Sequence, residues 1–250
     1  MDSLEGILDE IARAGDEHLD PGYVAEYDRK AAFAADAVEE VQLLCGLGLE
    51  QGSTLVDLGA GTGTLSLAAA ARCRRVVAVD VSPAMLRATE EKAAALGVSN
   101  VECVHAGFLT YEHRGSPADF VYSRNALHHL PDFWKALALR RIGLILRPGG
   151  IFRLHDIVFA FDPCEAERFI EAWLASGAER PEDGWTRAEL EQHLREEHST
   201  FNWLLEPMLE RAGFQISEAG YGSRRIDADY LCVKTGRTAR ESSASACKDG

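Results

Sequence analysis

Five short β-rich segments, separated by helical patterns, constrain the fold of this 250-residue chain more than any other feature. The segments are TLVDLG (54–59), RVVAVD (75–80), VECVH (101–105), ADFVYS (118–123) and IFRLHDIV (151–158). Helical patterns lie between them at 65–72, 83–96 and 133–146, and an Arg-Pro-Gly-Gly turn at 147–150 is predicted to end the last one. The helix at 83–96 has Ser82 as its expected N-cap and Gly97 at its carboxyl end. Near-continuous apolar strands alternating with helices predict an α/β fold, in which helices cover both faces of a parallel sheet.

The two ends of the chain and one internal stretch depart from this alternation. Residues 1–48 have an amphipathic helical pattern and are expected to form a helical lid, ahead of a core at 49–236. Residues 163–212 are expected to form a helical insertion within that core. Segments 214–220 and 226–234 are predicted as two closing strands, and the polar residues 237–250 as a disordered tail.

Composition and charge exclude several classes of function. The chain is 46% hydrophobic, but no stretch approaches eighteen uncharged apolar residues, so no membrane span is expected. Its net charge of −14 argues against binding to the phosphate backbone of a nucleic acid. Six cysteines without a CxxC pair, and an acidic start without a secretory signal, favour a reduced cytoplasmic protein. The oligomeric state is not indicated.

The segment VDLGAGTGT (56–64) is the most informative for function. A strand runs into three glycines and then into a helix, which exposes backbone N–H groups to a ligand. Asp80 ends the next strand, 21 residues after Gly59, where a carboxylate can accept hydrogen bonds from ribose hydroxyls. The dinucleotide fingerprint requires a glycine where this chain has Thr64. Asp57 would repel a pyrophosphate, and it suits a ligand with an amino or sulfonium group.

Three interpretations of this segment remain open on these grounds. The glycines could form a tight turn without a ligand, or the chain could be an NAD-dependent oxidoreductase, although Thr64 and Asp57 disfavour that. A third possibility is a non-catalytic sensor or partner subunit that only binds the ligand.

Four segments, in the expected order and spacing, resemble the motifs of the class I S-adenosylmethionine-dependent methyltransferases, and in particular the small-molecule group that includes the ubiquinone and menaquinone biosynthesis enzymes. They are VDLGAGTGTLSL (56–67), VVAVDVSPAMLRAT (76–89), YSRNALHHL (122–130) and LRPGGIFRLHD (146–156). The resemblance implies a Rossmann-like, doubly wound sheet of seven strands, mostly parallel with an antiparallel last strand. It also implies S-adenosylmethionine as cofactor and methyl transfer to a small-molecule substrate.

The same resemblance implies roles for individual residues. The cofactor's methionine part is expected on the loop of Gly59, Gly61 and Gly63, with Asp57 orienting the loop and interacting with the ammonium group. Asp80 is expected to hold the ribose. Adenine is expected between Val81 and Met85 and beside Gly107 and Phe108, although the family's usual acid is missing from His105–Phe108. The lid residues Tyr23, Tyr27 and Lys30 are expected to close over the cofactor.

Few side chains are candidates for catalysis. Asn125 follows the fourth strand, where cofactor and substrate meet in the family, and His128 and His129 come next, facing the expected methyl site. His198 lies in the insertion. Each could contact the methyl acceptor or remove its proton. Ser123–Ala126 replaces the N-P-P-[FY] tetrad of enzymes that methylate DNA bases or protein glutamine, and no metal triad is evident after the fifth strand.

Overall fold

The computed structural model describes residues 7–13, 24, 27 and 37–236. Eight strands are present in this part of the chain. They are β1 (Thr54–Leu58), β2 (Arg75–Asp80), β3 (Val101–His105), β4 (Ala118–Arg124), β5 (Leu146–Phe159), β6 (Thr200–Phe201), β7 (Phe214–Tyr221) and β8 (Asp227–Lys234). The α-helices are α1 (Glu10–Arg13), α2 (Ala37–Gly46), α3 (Thr64–Ala70), α4 (Pro83–Leu96), α5 (Asp132–Ile145), α6 (Ala166–Leu174), α7 (Arg187–Glu196) and α8 (Asn202–Arg211).

The strands form one sheet in the order β3-β2-β1-β4-β5-β8-β7. The first five are parallel, and β8 pairs antiparallel with both β5 and β7. This confirms the predicted doubly wound sheet with an antiparallel last strand. The two-residue β6, which was not predicted, pairs with the end of β5. The strand order reverses between β1 and β4, and the crevice at their carboxyl ends is where doubly wound sheets bind ligands.

Alternate residues of the central strands pack into two cores, one on each face of the sheet. Val56, Val77 and Val121 are fully buried in a core that includes Leu139 and Ile142 of α5. Their neighbours on the same strands face the other core, which α2 and α3 cover. Burial on both faces explains why these strands lack the alternation of polar and apolar residues.

Local sequence signals place the helix that follows β2. The Ser82 hydroxyl accepts a hydrogen bond from the Met85 amide at 3.2 Å, Pro83 occupies the first turn, and Gly97 ends the helix with φ of 68°. These are the predicted caps at the predicted positions.

The start of β5 differs from prediction, because pairing with β4 begins at Leu146 rather than at Ile151. Ala118 pairs with Leu146, but Phe120, only two residues later, pairs with Ile151. The intervening residues 147–150 therefore bulge out of the sheet, with Gly149 at φ of 75°. The Pro-Gly-Gly sequence forms an irregularity within β5. The prediction that the strand begins only after this turn, at Ile151, was therefore wrong.

The region predicted as a helical insertion packs in two places. Helices α6 and α7 gather around a small cluster that includes Phe161, Trp173 and Ile226. Helix α8 instead buries Leu205 and Leu209 in the main core against α5 and β7. None of the helices in the described residues is both long and apolar enough to cross a membrane. Of the predicted lid, Tyr23 and Lys30 lie outside the described residues, as does the tail 237–250.

Candidate functional site

A cleft opens at the carboxyl ends of β1, β2 and β4, with about 680 Å³ of empty space that includes the solvent at its mouth. Most of the residues predicted to bind a cofactor line it. They are Tyr27, Gly59, Gly61, Asp80, Val81, Met85, Gly107, Phe108 and Asn125. The predicted residues Asp57 and Gly63 lie behind this surface.

The glycine bend is shaped by close packing as well as by its exposed backbone. Gly59, Gly61 and Gly63 have φ values of 73°, 54° and 75°, a region that side chains disfavour. A Cβ atom on Gly59 would lie 2.3 Å from the Cβ of Ala126, and one on Gly63 would lie 2.3 Å from Cγ2 of Thr89. At Gly61 the nearest atom would be 3.7 Å away, on the Tyr27 ring. Gly61 therefore presents bare backbone to the cleft, whereas the other two glycines allow neighbouring elements to approach.

The carboxylate of Asp80 joins the glycine bend to the end of β2. Its Oδ2 accepts a hydrogen bond from the Gly61 amide and its Oδ1 accepts one from the Ser82 amide, each at 2.8 Å. Burial raises the pKa of Asp80, and these two N–H donors oppose the shift. The same carboxylate lines the cleft. Each oxygen has a further lone pair, so both can accept hydrogen bonds from a ligand's hydroxyl groups.

Asp57 lies beneath the bend rather than in the cleft. It is 2% exposed and accepts a hydrogen bond from the Ser66 hydroxyl of α3 at 2.7 Å. Burial raises its pKa to about 7, against the opposing effect of Ser66. The geometry supports the expected role in orienting the loop and the start of α3. An interaction of Asp57 with a ligand ammonium, directly or through water, stays a prediction.

At the end of β3, a carboxylate arrives from the amino-terminal segment. Glu10 of α1 accepts hydrogen bonds from the Leu109 amide at 3.1 and 3.2 Å and from the Thr110 hydroxyl at 3.3 Å. It lines the cleft beside Gly107, where a Cβ atom would lie 2.4 Å from the Glu10 carboxyl carbon. Sequence analysis missed Glu10, because nothing in its local sequence indicates a contact about 100 residues away.

The β4 side of the cleft is formed by the residues that follow that strand. Asn125 lines the cleft with φ of 48°, a backbone conformation that side chains disfavour. Its backbone N–H donates to the His155 carbonyl at 2.9 Å and stabilises that conformation. His129, a candidate from the sequence, also lines the cleft, as does Arg124, which was not predicted. His128, which was predicted, points behind the cleft wall and is 4% exposed.

His128 belongs to a buried cluster of imidazoles and carboxylates. Its Nδ1 lies 2.5 Å from Asp156 Oδ1, and its Nε2 lies 3.0 Å from Glu197 Oε2. The same Glu197 oxygen is 2.9 Å from His129 Nδ1, and Glu197 Oε1 is 3.5 Å from His193 Nδ1. Burial would lower the pKa of His128, but the Asp156 and Glu197 carboxylates raise it to about 9. Burial of Glu197 would raise its pKa, but the three neighbouring imidazoles hold that pKa far below its usual range.

The other predicted catalytic histidine, His198, is near this cluster but does not line the cleft. Its backbone amide donates to the His128 carbonyl at 3.0 Å, and its carbonyl accepts from the buried Lys135 ammonium. Its Nε2 lies 3.4 Å from the guanidinium of Arg13. Burial lowers the pKa of His198, and the cationic Arg13 and Lys135 lower it further. The position suits a role in holding the His128 segment against α5.

Two groups of side chains in the described residues could hold a metal ion. One is His128, His193 and Glu197, and the other is His155, Asp227 and Asp229. In the second group the guanidinium of Arg153 lies 2.5 Å from Asp229, which disfavours a dication there. Sequence analysis expected no metal site. The signal for the first group was the spacing of His193 and Glu197, which places both on one face of a helix end.

Comparison with known proteins agrees with this geometry. Residues 55–150 match the family model of a methyltransferase domain. An uncharacterised methyltransferase of Anoxybacillus flavithermus is 30% identical over 168 residues, covering 67% of this chain and 72% of that protein. The 27-O-demethylrifamycin SV methyltransferase of Amycolatopsis mediterranei is 27% identical over 170 residues. That match covers 66% of this chain, but only 60% of the length of the relative.

A solved structure shares the fold at low sequence identity. The magnesium protoporphyrin IX methyltransferase of Synechocystis PCC 6803, crystallised with bound S-adenosylhomocysteine, aligns with a TM-score of 0.60 and 17% identity. The alignment covers 91% of this chain and all of that one. The glycine bend, the strand order and the Anoxybacillus relative lead to one conclusion: the chain belongs to the class I methyltransferases, whose cofactor is S-adenosyl-L-methionine.

Proposed function

We propose that this protein transfers the methyl group of S-adenosylmethionine to a small-molecule nucleophile. The observation that carries the proposal is the cleft where the strand order reverses, between β1 and β4. Asp80 and the backbone of Gly61 line one side of this cleft, and Asn125 and His129 line the other. Bound there, the cofactor supplies an electrophilic methyl group on a sulfonium whose departure leaves a neutral thioether. Much of the catalysis then consists of positioning the acceptor and excluding water.

Each part of the cofactor has a candidate partner among the residues that line the cleft. Asp80 offers two acceptors for the ribose hydroxyls, with both oxygens already oriented by loop amides. Met85 and Phe108 provide apolar walls for the adenine. Glu10 provides at the end of β3 the acid that the local sequence lacks, so we assign it the exocyclic amino group of adenine. This assignment accounts for a carboxylate that backbone and hydroxyl donors hold at the cleft wall beside Gly107 and Phe108.

A small acceptor is favoured by the charge of the chain and by one of its relatives. A net charge of −14 disfavours nucleic acid as a substrate. Among the relatives, the Amycolatopsis enzyme is named for a small-molecule acceptor, which supports the same class for this chain.

The test is methyl transfer from isotopically labelled S-adenosylmethionine to a panel of phenols, quinols, thiols and amines. We expect a methylated product in equimolar amount with S-adenosylhomocysteine, and slower product formation by an Asp80→Asn variant at cofactor concentrations below its Kd. An enzyme that binds S-adenosylhomocysteine but methylates nothing in the panel or in a small-molecule cell extract would contradict the proposal, and would favour a binding-only role. Labelling of a protein fraction alone would contradict the acceptor class.

A further inference from the structure

We propose that His128, His193 and Glu197 bind a transition-metal dication of the zinc type, which holds the ionised oxygen or sulfur atom of the methyl acceptor. The metal site stands on its own geometry, while the acceptor's place on it rests on the proposed function. The three residues come from the segment after β4, from α7 and from the residue that ends α7. The fold thus brings together ligands about 65 residues apart in sequence.

The separations between the three groups suit one small ion. Their ligand atoms all lie within 4.8 Å of one another. Glu197 oxygens lie 3.0 Å from His128 Nε2 and 3.5 Å from His193 Nδ1. Zinc-to-ligand bonds of about 2.0–2.1 Å in a tetrahedron place the ligand atoms roughly 3.3 Å apart. The carboxylate-to-imidazole distances in the protein lie on either side of that value.

Both histidines are oriented by a further oxygen on the opposite side of the ring. Asp156 Oδ1 lies 2.5 Å from His128 Nδ1, and the same oxygen accepts from the Ile157 amide at 2.9 Å. The Ser199 hydroxyl lies 2.7 Å from His193 Nε2. A carboxylate can only accept, so Asp156 holds the proton on Nδ1 of His128, and the lone pair of Nε2 is then available toward Glu197. Oxygen partners of this kind orient metal-binding histidines in proteins.

The Oε2 atom of Glu197 is a buried acceptor that a shared cation would satisfy. It has no hydrogen-bond partner among the described residues, although His128 Nε2 and His129 Nδ1 lie 3.0 and 2.9 Å away. The carboxylates of Asp156 and Glu197 would also balance the two charges of the ion.

The ligand set indicates the kind of metal and its use. Two imidazoles and one carboxylate suit zinc, whereas magnesium and calcium prefer oxygen ligands alone. Three protein ligands leave a fourth position, as in catalytic zinc sites. His129 lies between this cluster and the cleft, because its Nδ1 is 2.9 Å from Glu197 Oε2 and the residue lines the cleft wall.

The methyl transfer balances without any further reactant. An acceptor X–H atom that binds the metal loses its proton to water, because a dication lowers the pKa of bound groups. The X–C bond then forms as the C–S bond of the cofactor breaks, and the electron pair of that bond remains on sulfur. The products are the methylated acceptor, which is a weaker metal ligand than the anion, and S-adenosylhomocysteine.

The experiment is a titration of chelator-treated, full-length protein with Zn²⁺ and with Co²⁺. We expect one tightly bound ion per chain, no competition from excess Mg²⁺, and a visible Co²⁺ spectrum typical of tetrahedral coordination. His193→Ala and Glu197→Gln should each weaken binding by at least about 100-fold. Both residues lie outside the cofactor cleft, so S-adenosylhomocysteine binding should persist and will report that the variants are folded.

A matched control is His113→Ala, because His113 bonds to Tyr111 and Ser116 in the β3–β4 loop and should leave metal binding unchanged. Addition of a thiol or phenol acceptor should shift the Co²⁺ spectrum of the wild-type protein. Absence of Zn²⁺ binding in protein that still binds S-adenosylhomocysteine would overturn the metal site while leaving the proposed function intact. Binding retained in both ligand variants but lost in His155→Asn would overturn it as well. A bound metal whose spectrum no acceptor shifts would overturn the acceptor's place on the ion.

Discussion

Replacing Asp80 by Asn tests how the cleft holds the ribose of its cofactor. Each Asp80 oxygen accepts one backbone N–H, from Gly61 and from Ser82, both at 2.8 Å. An asparagine has only one acceptor oxygen, so its NH₂ group must face one of these N–H donors or turn away from it. The variant therefore loses one hydrogen bond to a charged acceptor and offers the ribose a single acceptor in place of two.

The magnitude follows from the loss of a hydrogen bond to a charged group, about 1.5–3 kcal/mol. At about 1.4 kcal/mol for each factor of ten, the Kd for S-adenosylhomocysteine should rise roughly 10- to 150-fold. Isothermal titration calorimetry measures it directly, with circular dichroism to verify the fold.

Asp119→Asn is the matched control for this substitution. Asp119 also accepts a backbone N–H, from Thr54 at 2.9 Å, but at the start of β1 and away from the cleft. It should alter stability without altering the Kd. A folded Asp80→Asn protein with an unchanged Kd would refute the assignment of Asp80 to the ribose.

Three further predictions follow from the same contacts. Gly63→Ala should lower the free energy of unfolding by about 2–5 kcal/mol in urea denaturation, because the residue has a positive φ and its new Cβ would overlap Thr89. Gly97→Ala, which has open space around it, should lower it by only about 1 kcal/mol. Equal losses in the two variants would contradict the packing argument. The pKa of Asp57 is raised from 3.8 to about 7 in the folded protein, so its folded state retains a proton that the unfolded chain releases, and it should cost about 4 kcal/mol of stability as pH rises from about 4 to about 7. Asp57→Asn should flatten that decline in urea melts across the same pH range, and an unchanged slope would refute it. Glu10→Ala should weaken S-adenosylhomocysteine binding by about 1 kcal/mol, roughly fivefold, in calorimetry, and tighter binding would show that Glu10 instead obstructs the cleft.

The fold was largely predictable because its signals are local. Helix α4 has its caps at Ser82 and Gly97, and the strands β1 to β4 are short apolar runs bounded by polar residues. The start of β5 was not predictable, because a Pro-Gly-Gly sequence indicates a turn while pairing with β4 extends the strand through it. The two-residue β6 is also set by its partner strand, and its own sequence gives no strand pattern.

The residues of the candidate site also differ in whether local sequence predicts them. The glycines and Asp80 occupy fixed positions relative to strand ends, so spacing alone indicates them. Glu10 and Glu197 reach the site from separate segments, and only the folded chain brings them there. His128 and His129 were both expected to face the methyl site, and only His129 lines the cleft. The short 3₁₀ helix at Leu127–His129 directs His129 into the cleft and His128 toward Asp156.

A crystal structure with S-adenosylhomocysteine bound tests the central claim most directly. The measured quantity is the distance from each ribose hydroxyl to the nearest Asp80 carboxylate oxygen. We expect both hydroxyls within hydrogen-bonding distance, about 2.5–3.0 Å, with the methionine part crossing the Gly61 backbone. A ligand that occupies another surface, or that lies in the cleft with its ribose away from Asp80, would contradict the account.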